Sequence, residues 1–167
     1  MTSSSFSAGE PYTASEIEAM FTELPPVHTA EMIGLWRARH VRVDNQPTPP
    51  LVSAGWYGMR FTDDDHVDTL LYRADSGELF AADPAGIAEA IAEGVPDVAA
   101  VRSRVEVTDP VACMRMVEYR GTVSAAIIYL REPVIDYLRR IDEHTILGAA
   151  AVIGQETSAF FTLSQAN

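Results

Sequence analysis

Lysine is missing from this chain. All 12 of its basic side chains are arginines, so Schiff-base chemistry and a phosphate-loop lysine are both excluded. A single cysteine, Cys113, leaves no intramolecular disulfide, no Cys-x-x-Cys redox pair and no thiolate zinc cage. Positive charge is scarce as well: 24 acidic residues against 12 arginines give a formal charge of −12. That balance repels a phosphate backbone and argues against nucleic acid as a partner. Long apolar runs are also lacking. The longest, residues 123–130 and 146–153, reach less than half of what a bilayer-spanning helix needs, so they read as core strands and no membrane span is expected. The Ser-rich head has neither the basic start nor the apolar centre of a secretory leader, which makes a cytoplasmic location the expectation. Residues 1–12 are expected to form a disordered N-terminal segment.

What is present suits one globular domain, placed at residues 13–167: the hydrophobic fraction is 47% and the charged fraction 22% in 167 residues. Thr13-Ala14-Ser15-Glu16 is a capping box, and Ile17, Met20, Phe21 and Leu24 follow at the spacing of one helix face. Pro25-Pro26 ends that helix, and residues 29–32 suggest a short second turn. The hydrophobic period then changes to two. Residues 35–43 alternate as a half-buried strand, and the prolines of residues 44–50 mark a loop. Residues 56–61 read as the next strand, Asp63-Asp64-Asp65 as a solvated turn, and residues 68–73 and 78–82 as a hairpin around Asp75-Ser76-Gly77. Asp83-Pro84 opens an Ala-rich helix that runs to about Ala92 and stops at Gly94. After Pro110 the chain is strand-like: residues 112–130 form one strand long enough to bend, 134–141 pairs with 145–153, and 158–164 closes the series. Short strands joined by turns predict a mainly β fold. The expected architecture is an antiparallel sheet curled into a β-barrel, with an N-terminal helix and one short inserted helix. Such a barrel fills with side chains or holds one small ligand.

The chemistry-bearing residues are sparse. His28, His40, His66 and His144 show no metal-ligand spacing, and the acidic run lacks the pattern of a calcium loop, so neither a metal nor a cofactor is expected. Cys113 lies two residues from Arg115, but its apolar neighbours favour an inert, packed thiol. No Gly-x-Ser-x-Gly elbow supports a serine hydrolase. On the long strand Glu118, Arg120, Thr122 and Ser124 are all even-numbered and share one face. That stripe faces either solvent, as an ordinary exposed pair, or the barrel, where its charges must be paired. The opposite parity, with Val117, Tyr119, Ile127 and Tyr129, is apolar and packs inside equally well. Trp36, Trp56, Tyr57 and Tyr119 are candidate ligand-binding residues, because barrel closure brings strand aromatics together. Arg60, and Arg140 next to Arg139, are candidate anchors for a carboxylate or enolate at the rim.

Four clusters carry a family resemblance: Met32-Ile33-Gly34-Leu35-Trp36-Arg37, Gly55-Trp56-Tyr57-Gly58-Met59-Arg60-Phe61, Val117-Glu118-Tyr119-Arg120-Gly121 with Ile128-Tyr129, and Leu138-Arg139-Arg140-Ile141-Asp142 with Leu147-Gly148. They resemble the GXWXG-domain proteins of bacteria, in which that half is followed by a companion C-terminal domain of unknown function. Ala38 stands where the signature has its final glycine. The resemblance implies a lipocalin-like (calycin-like) barrel and no settled activity. Gly34-Leu35-Trp36 is similar to the lipocalin start, where the Trp plugs the closed end. The match at Glu118-Tyr119-Arg120-Gly121 favours an internal polar cluster, which makes Glu118, Arg120 and Tyr129 the candidate catalytic residues. Two functions follow as expectations. One is binding of a hydrophobic small molecule in the barrel; the other is a cofactor-independent cyclase or isomerase, for example a pericyclic cyclase, acting on a polyene or polyketide-like substrate in a natural-product pathway. An interaction module is a third, weaker class, and a homodimer is compatible with the sequence.

Overall fold

The computed structural model describes residues 5–166. Helix α1 (Ala14–Glu23) starts where the capping box requires: the Glu16 N–H donates to Thr13 Oγ1 at 3.1 Å and the Thr13 N–H to Glu16 Oε2 at 2.9 Å. Strand β1 (Gly34–Val41) follows, then a short helix α2 (Pro50–Ser53), in a stretch that the prolines alone mark as loop. Strands β2 (Gly58–Asp63) and β3 (His66–Arg73) pair antiparallel, and β4 (Leu79–Ala81) adds to β3. Helices α3 (Pro84–Ala92) and α4 (Arg102–Val105) lead into β5 (Ala112–Tyr119), β6 (Thr122–Tyr129), β7 (Val134–Asp142), β8 (Thr145–Val152) and β9 (Ala159–Gln165). No helix is long and apolar enough to cross a membrane among the described residues.

Eight strands close on themselves in the order β1-β2-β3-β5-β6-β7-β8-β9, with β9 returning to β1 and β4 outside the ring. The expected mainly β barrel is therefore what forms, because each strand alternates one inward apolar row with an outward row. Trp36, Met59, Val67, Met114, Ile127, Leu138, Ile146 and Leu163 supply the inner core. Outside, α1 lays Ile17 and Phe21 on Val41, Leu147 and Phe160. Of the segment expected to lack order, residues 1–4 lie outside the described residues; further along, the Tyr12 N–H donates to the Arg42 carbonyl at 3.0 Å and Phe6 stacks on the Tyr12 ring.

One end of the barrel is sealed by the chain between α1 and β1. The Val27 N–H donates to the buried Ser124 Oγ at 3.0 Å, and the Ala125 N–H to the Val27 carbonyl at 2.8 Å. Trp36, 1% exposed, plugs the same end, with its Nε1–H donating to the Met32 carbonyl at 2.7 Å. The tight backbone approach sits at Gly58 and not at Ala38: a Cβ on Gly58 would overlap the Trp36 carbonyl oxygen.

Two regions depart from the sequence reading. Residues 112–130 are not one bent strand but the hairpin β5–β6, turned at Arg120 (φ 53°) and Gly121 (φ 77°). Two successive left-handed residues are the signature of a tight hairpin whose twist matches its strands. Because Tyr119 pairs with Thr122, parity inverts across the turn: Ala112 and Met114 face inward with Tyr129 and Ile127. Glu118 pairs across from Val123 and is exposed, whereas Ser124 pairs across from Val117 and is buried, so the even-numbered stripe is not one face. The second departure is at the seam of β3 and β5, which holds a single register pair, Val67 with Ala112. Beyond it the end of β3 pairs with β4, and the chain leaves the wall to carry α3 and α4 before it returns. The barrel thereby gains a helical flank beside its open end.

A candidate ligand cavity at the open end of the barrel

At that open end lies a cavity of ≈ 660 Å³, bounded by the mouth strands on one side and by α2 and α3 on the other. The alternation of the strands places its walls: His40 from β1, Tyr129 from β6, Val134 and Asp136 from β7, Ala150 and Val152 from β8, and Phe161 from β9. Leu51 of α2 and Ile87 and Ile91 of α3 complete the apolar lining. Trp56, just ahead of β2, is fixed by its Nε1–H, which is shared between the Thr69 carbonyl at 3.0 Å and the Gly58 carbonyl at 3.1 Å. Its ring meets Phe161 edge to face with centroids 5.6 Å apart. Behind Phe161 is Gly148, where an added Cβ would fall inside the Phe161 ring. Gly148→Ala is therefore expected to tip that ring towards the cavity and to destabilise the fold by about 1.5 kcal/mol, read by urea unfolding. An unchanged midpoint would show that the ring has room to move.

The polar content of the wall is small and specific. The Tyr129 O–H donates to Asp136 Oδ2 at 3.3 Å, and Asp136 is 1% exposed with no partner for Oδ1. Burial pushes the Asp136 carboxyl up to about 7, a shift that the Tyr129 hydrogen bond only partly offsets. Tyr129 is held well above its ordinary range, first by burial and then by the neighbouring carboxylate. The buried Thr69 hydroxyl adjoins Tyr129. No arginine lines this cavity.

Of the sequence-predicted residues, the fold brings Trp56 and Tyr129 together at the cavity. The rest lie elsewhere. Trp36 is in the core at the sealed end. Tyr57 lies between the guanidinium groups of Arg37, at 4.4 Å, and Arg73, at 5.0 Å. Arg60 pairs with Asp68 at 3.7 Å, away from the cavity wall. Tyr119 stacks on Tyr137 at 3.7 Å in the cluster under α1, Arg120 pairs with Glu18 of α1, and Glu118 is exposed. Arg140 bonds Glu31 at 3.0 Å, and its neighbour Arg139 is consumed in holding α1, so neither anchors a ligand at the rim. Sequence reasoning missed Asp136. A signal for it was present: a carboxylate in the inward row between Val134 and Leu138 has no solvent to face.

Comparison with known proteins places these observations in a family context. Residues 19–77 match the GXWXG protein family and residues 110–165 match a domain of unknown function, DUF4334. The first segment contributes β1, β2 and β3 to the ring and the second contributes β5 to β9, so the two matched segments are parts of one barrel. The crystal structure of a protein from Thermomonospora curvata is similar over 92% of this chain and 87% of that chain, at 30% identity and a TM-score of 0.70. No curated protein matches the chain.

Proposed function

This chain belongs to the GXWXG family and carries its companion C-terminal domain of unknown function, and from that premise we propose that the barrel shelters an apolar small molecule at its open end. The observation that carries the reading is the ≈ 660 Å³ cavity walled by aliphatic and aromatic side chains. Its size lies within the range of small-molecule sites, which are mostly apolar with a few fixed polar groups. Filling it is the direct test. Ala150 lines the wall on β8, and Ala150→Trp should weaken binding of the apolar dye N-phenylnaphthylamine by more than about tenfold, roughly 1.4 kcal/mol. Cys113→Ser should leave dye binding unchanged, since Cys113 is not on the wall. Equal affinity of wild type and Ala150→Trp, with circular dichroism intact, would overturn the reading.

A second reading draws on one observation, the Tyr129–Asp136 pair. A carboxyl that titrates near neutral pH is suited to moving a proton, which supports a cofactor-independent isomerase or cyclase acting on a polyene or polyketide-like substrate in the same cavity. Native mass spectrometry of the purified protein distinguishes the two: a carrier retains its ligand unaltered, whereas an enzyme fed with extracted substrate releases a changed product.

A further inference from the structure

We propose that Tyr129 and Asp136 together receive the oxygen of a neutral carbonyl group on an otherwise apolar ligand. This rests on the cavity reading and names the class of molecule that the cavity takes.

The argument begins with what a buried, half-satisfied acid requires. Asp136 is 1% exposed on the cavity wall, and Oδ1 has no protein partner, while Oδ2 accepts only the Tyr129 O–H at 3.3 Å. An ionised carboxylate there leaves buried lone pairs without donors, which is costly, so the acid form is favoured. In that form one O–H of the pair makes the bond between Tyr129 and Asp136 and the other is left as a free donor in an apolar site. An oxygen that only accepts hydrogen bonds complements it; a carbonyl oxygen is such a group.

The charges of the wall exclude the alternatives. A carboxylate ligand would meet Asp136 and Glu132 with no arginine on the wall to compensate. The titratable groups that share the wall are His40, Tyr129, Glu132 and Asp136, and none carries a permanent positive charge. An ammonium group seated at the Tyr129–Asp136 pair would need Asp136 ionised, the form that burial disfavours.

Ionisation removes the free donor of this site. When Asp136 loses its proton the one O–H that remains, that of Tyr129, is held by the carboxylate, and none is left for the ligand. Carbonyl recognition should therefore weaken as pH rises through about 7, while purely apolar binding should not.

The test uses four probes built on one phenyl-hexyl framework: hexanophenone, hexylbenzene, phenylhexanoate and phenylhexylamine, titrated into the full-length protein by calorimetry. At pH 6, hexanophenone is expected to bind roughly tenfold more tightly than hexylbenzene, the value of one well-made hydrogen bond. The double variant Tyr129→Phe, Asp136→Leu, which has neither O–H, should bring that ratio to within about twofold, with its binding of hexylbenzene measured alongside to report an intact cavity. Asp136→Asn keeps a donor and cannot ionise, so it should retain most of the ketone preference and lose its pH dependence. Equal wild-type affinities for ketone and hydrocarbon would overturn this inference alone, as would a ratio that survives in the double variant Tyr129→Phe, Asp136→Leu, or tighter binding of the carboxylate or the amine. Failure of both hexylbenzene and hexanophenone to bind would overturn the cavity reading and this inference with it.

Discussion

Arg139→Met should destabilise the protein by about 3 kcal/mol. Arg139 is 1% exposed and pairs with backbone carbonyls, with no carboxylate partner among the described residues. Its Nη1 donates to the carbonyls of Phe21 at 3.3 Å, Thr22 at 3.1 Å and Leu24 at 3.2 Å, and its Nη2 to the carbonyl of Tyr119 at 2.7 Å. The first three lie at the C-terminal end of α1, which has no basic residue in its own last turn; the Phe21 carbonyl also accepts the Leu24 N–H at 3.3 Å, whereas the Thr22 and Leu24 carbonyls are the orphan acceptors. The guanidinium thus satisfies the helix end, lies where the helix dipole favours a cation, and stacks over the Phe21 ring at 4.9 Å. Burial and the nearby Arg120 charge lower its pKa, yet a guanidinium keeps its proton. Methionine fills much of the volume and leaves the Thr22, Leu24 and Tyr119 carbonyls without the guanidinium's hydrogen bonds. Lysine keeps a charge but not the planar fork that spans helix and hairpin, so Arg139→Lys should recover less than half of the loss. Urea unfolding measures both; a wild-type midpoint for Arg139→Met would refute this account of α1.

The second large effect is a pH-dependent stability gap between wild type and Asp136→Asn. Asp136 titrates near 3.8 in the unfolded chain and at about 7 in the folded one. Its folded pKa is raised, so between those values the native state binds more protons than the unfolded state, and stability falls as pH rises. The contribution of this acid is complete below about 4 and lost above about 7. Asparagine has the same shape and no charge to bury. Asp136→Asn should therefore match wild type near pH 4 and exceed it by roughly 4 kcal/mol at pH 8, since one pKa unit corresponds to about 1.4 kcal/mol. Denaturation of both proteins at the two pH values measures the gap. Parallel pH profiles would mean that Asp136 is solvated in the folded protein, and the carbonyl site would lose its physical basis.

How much of the site could be read in advance depends on which signals are local. Trp56 and Tyr129 were legible because large aromatics on strands of a closing barrel converge. Glu118 and Arg120 were misplaced because a parity count holds only within one strand, and the turn at Arg120-Gly121 reset it. Gly121 was the available sign of that turn. The arginines looked like anchors because charge is conspicuous in sequence, whereas solvent, Glu18, Glu31, Asp68 and helix-end carbonyls all compete for a guanidinium once the chain folds.

By itself the sequence determined the alternation of the strands, the capping box at Thr13, the Asp83-Pro84 helix start and so the class of fold, because each depends on neighbours a few residues apart. Tertiary structure alone decided that the β3–β5 seam is short, that α2 and α3 stand beside the mouth, and that Tyr129 meets Asp136 there. Those outcomes depend on how eight strands close into a ring, which sets distances between residues that no local pattern relates.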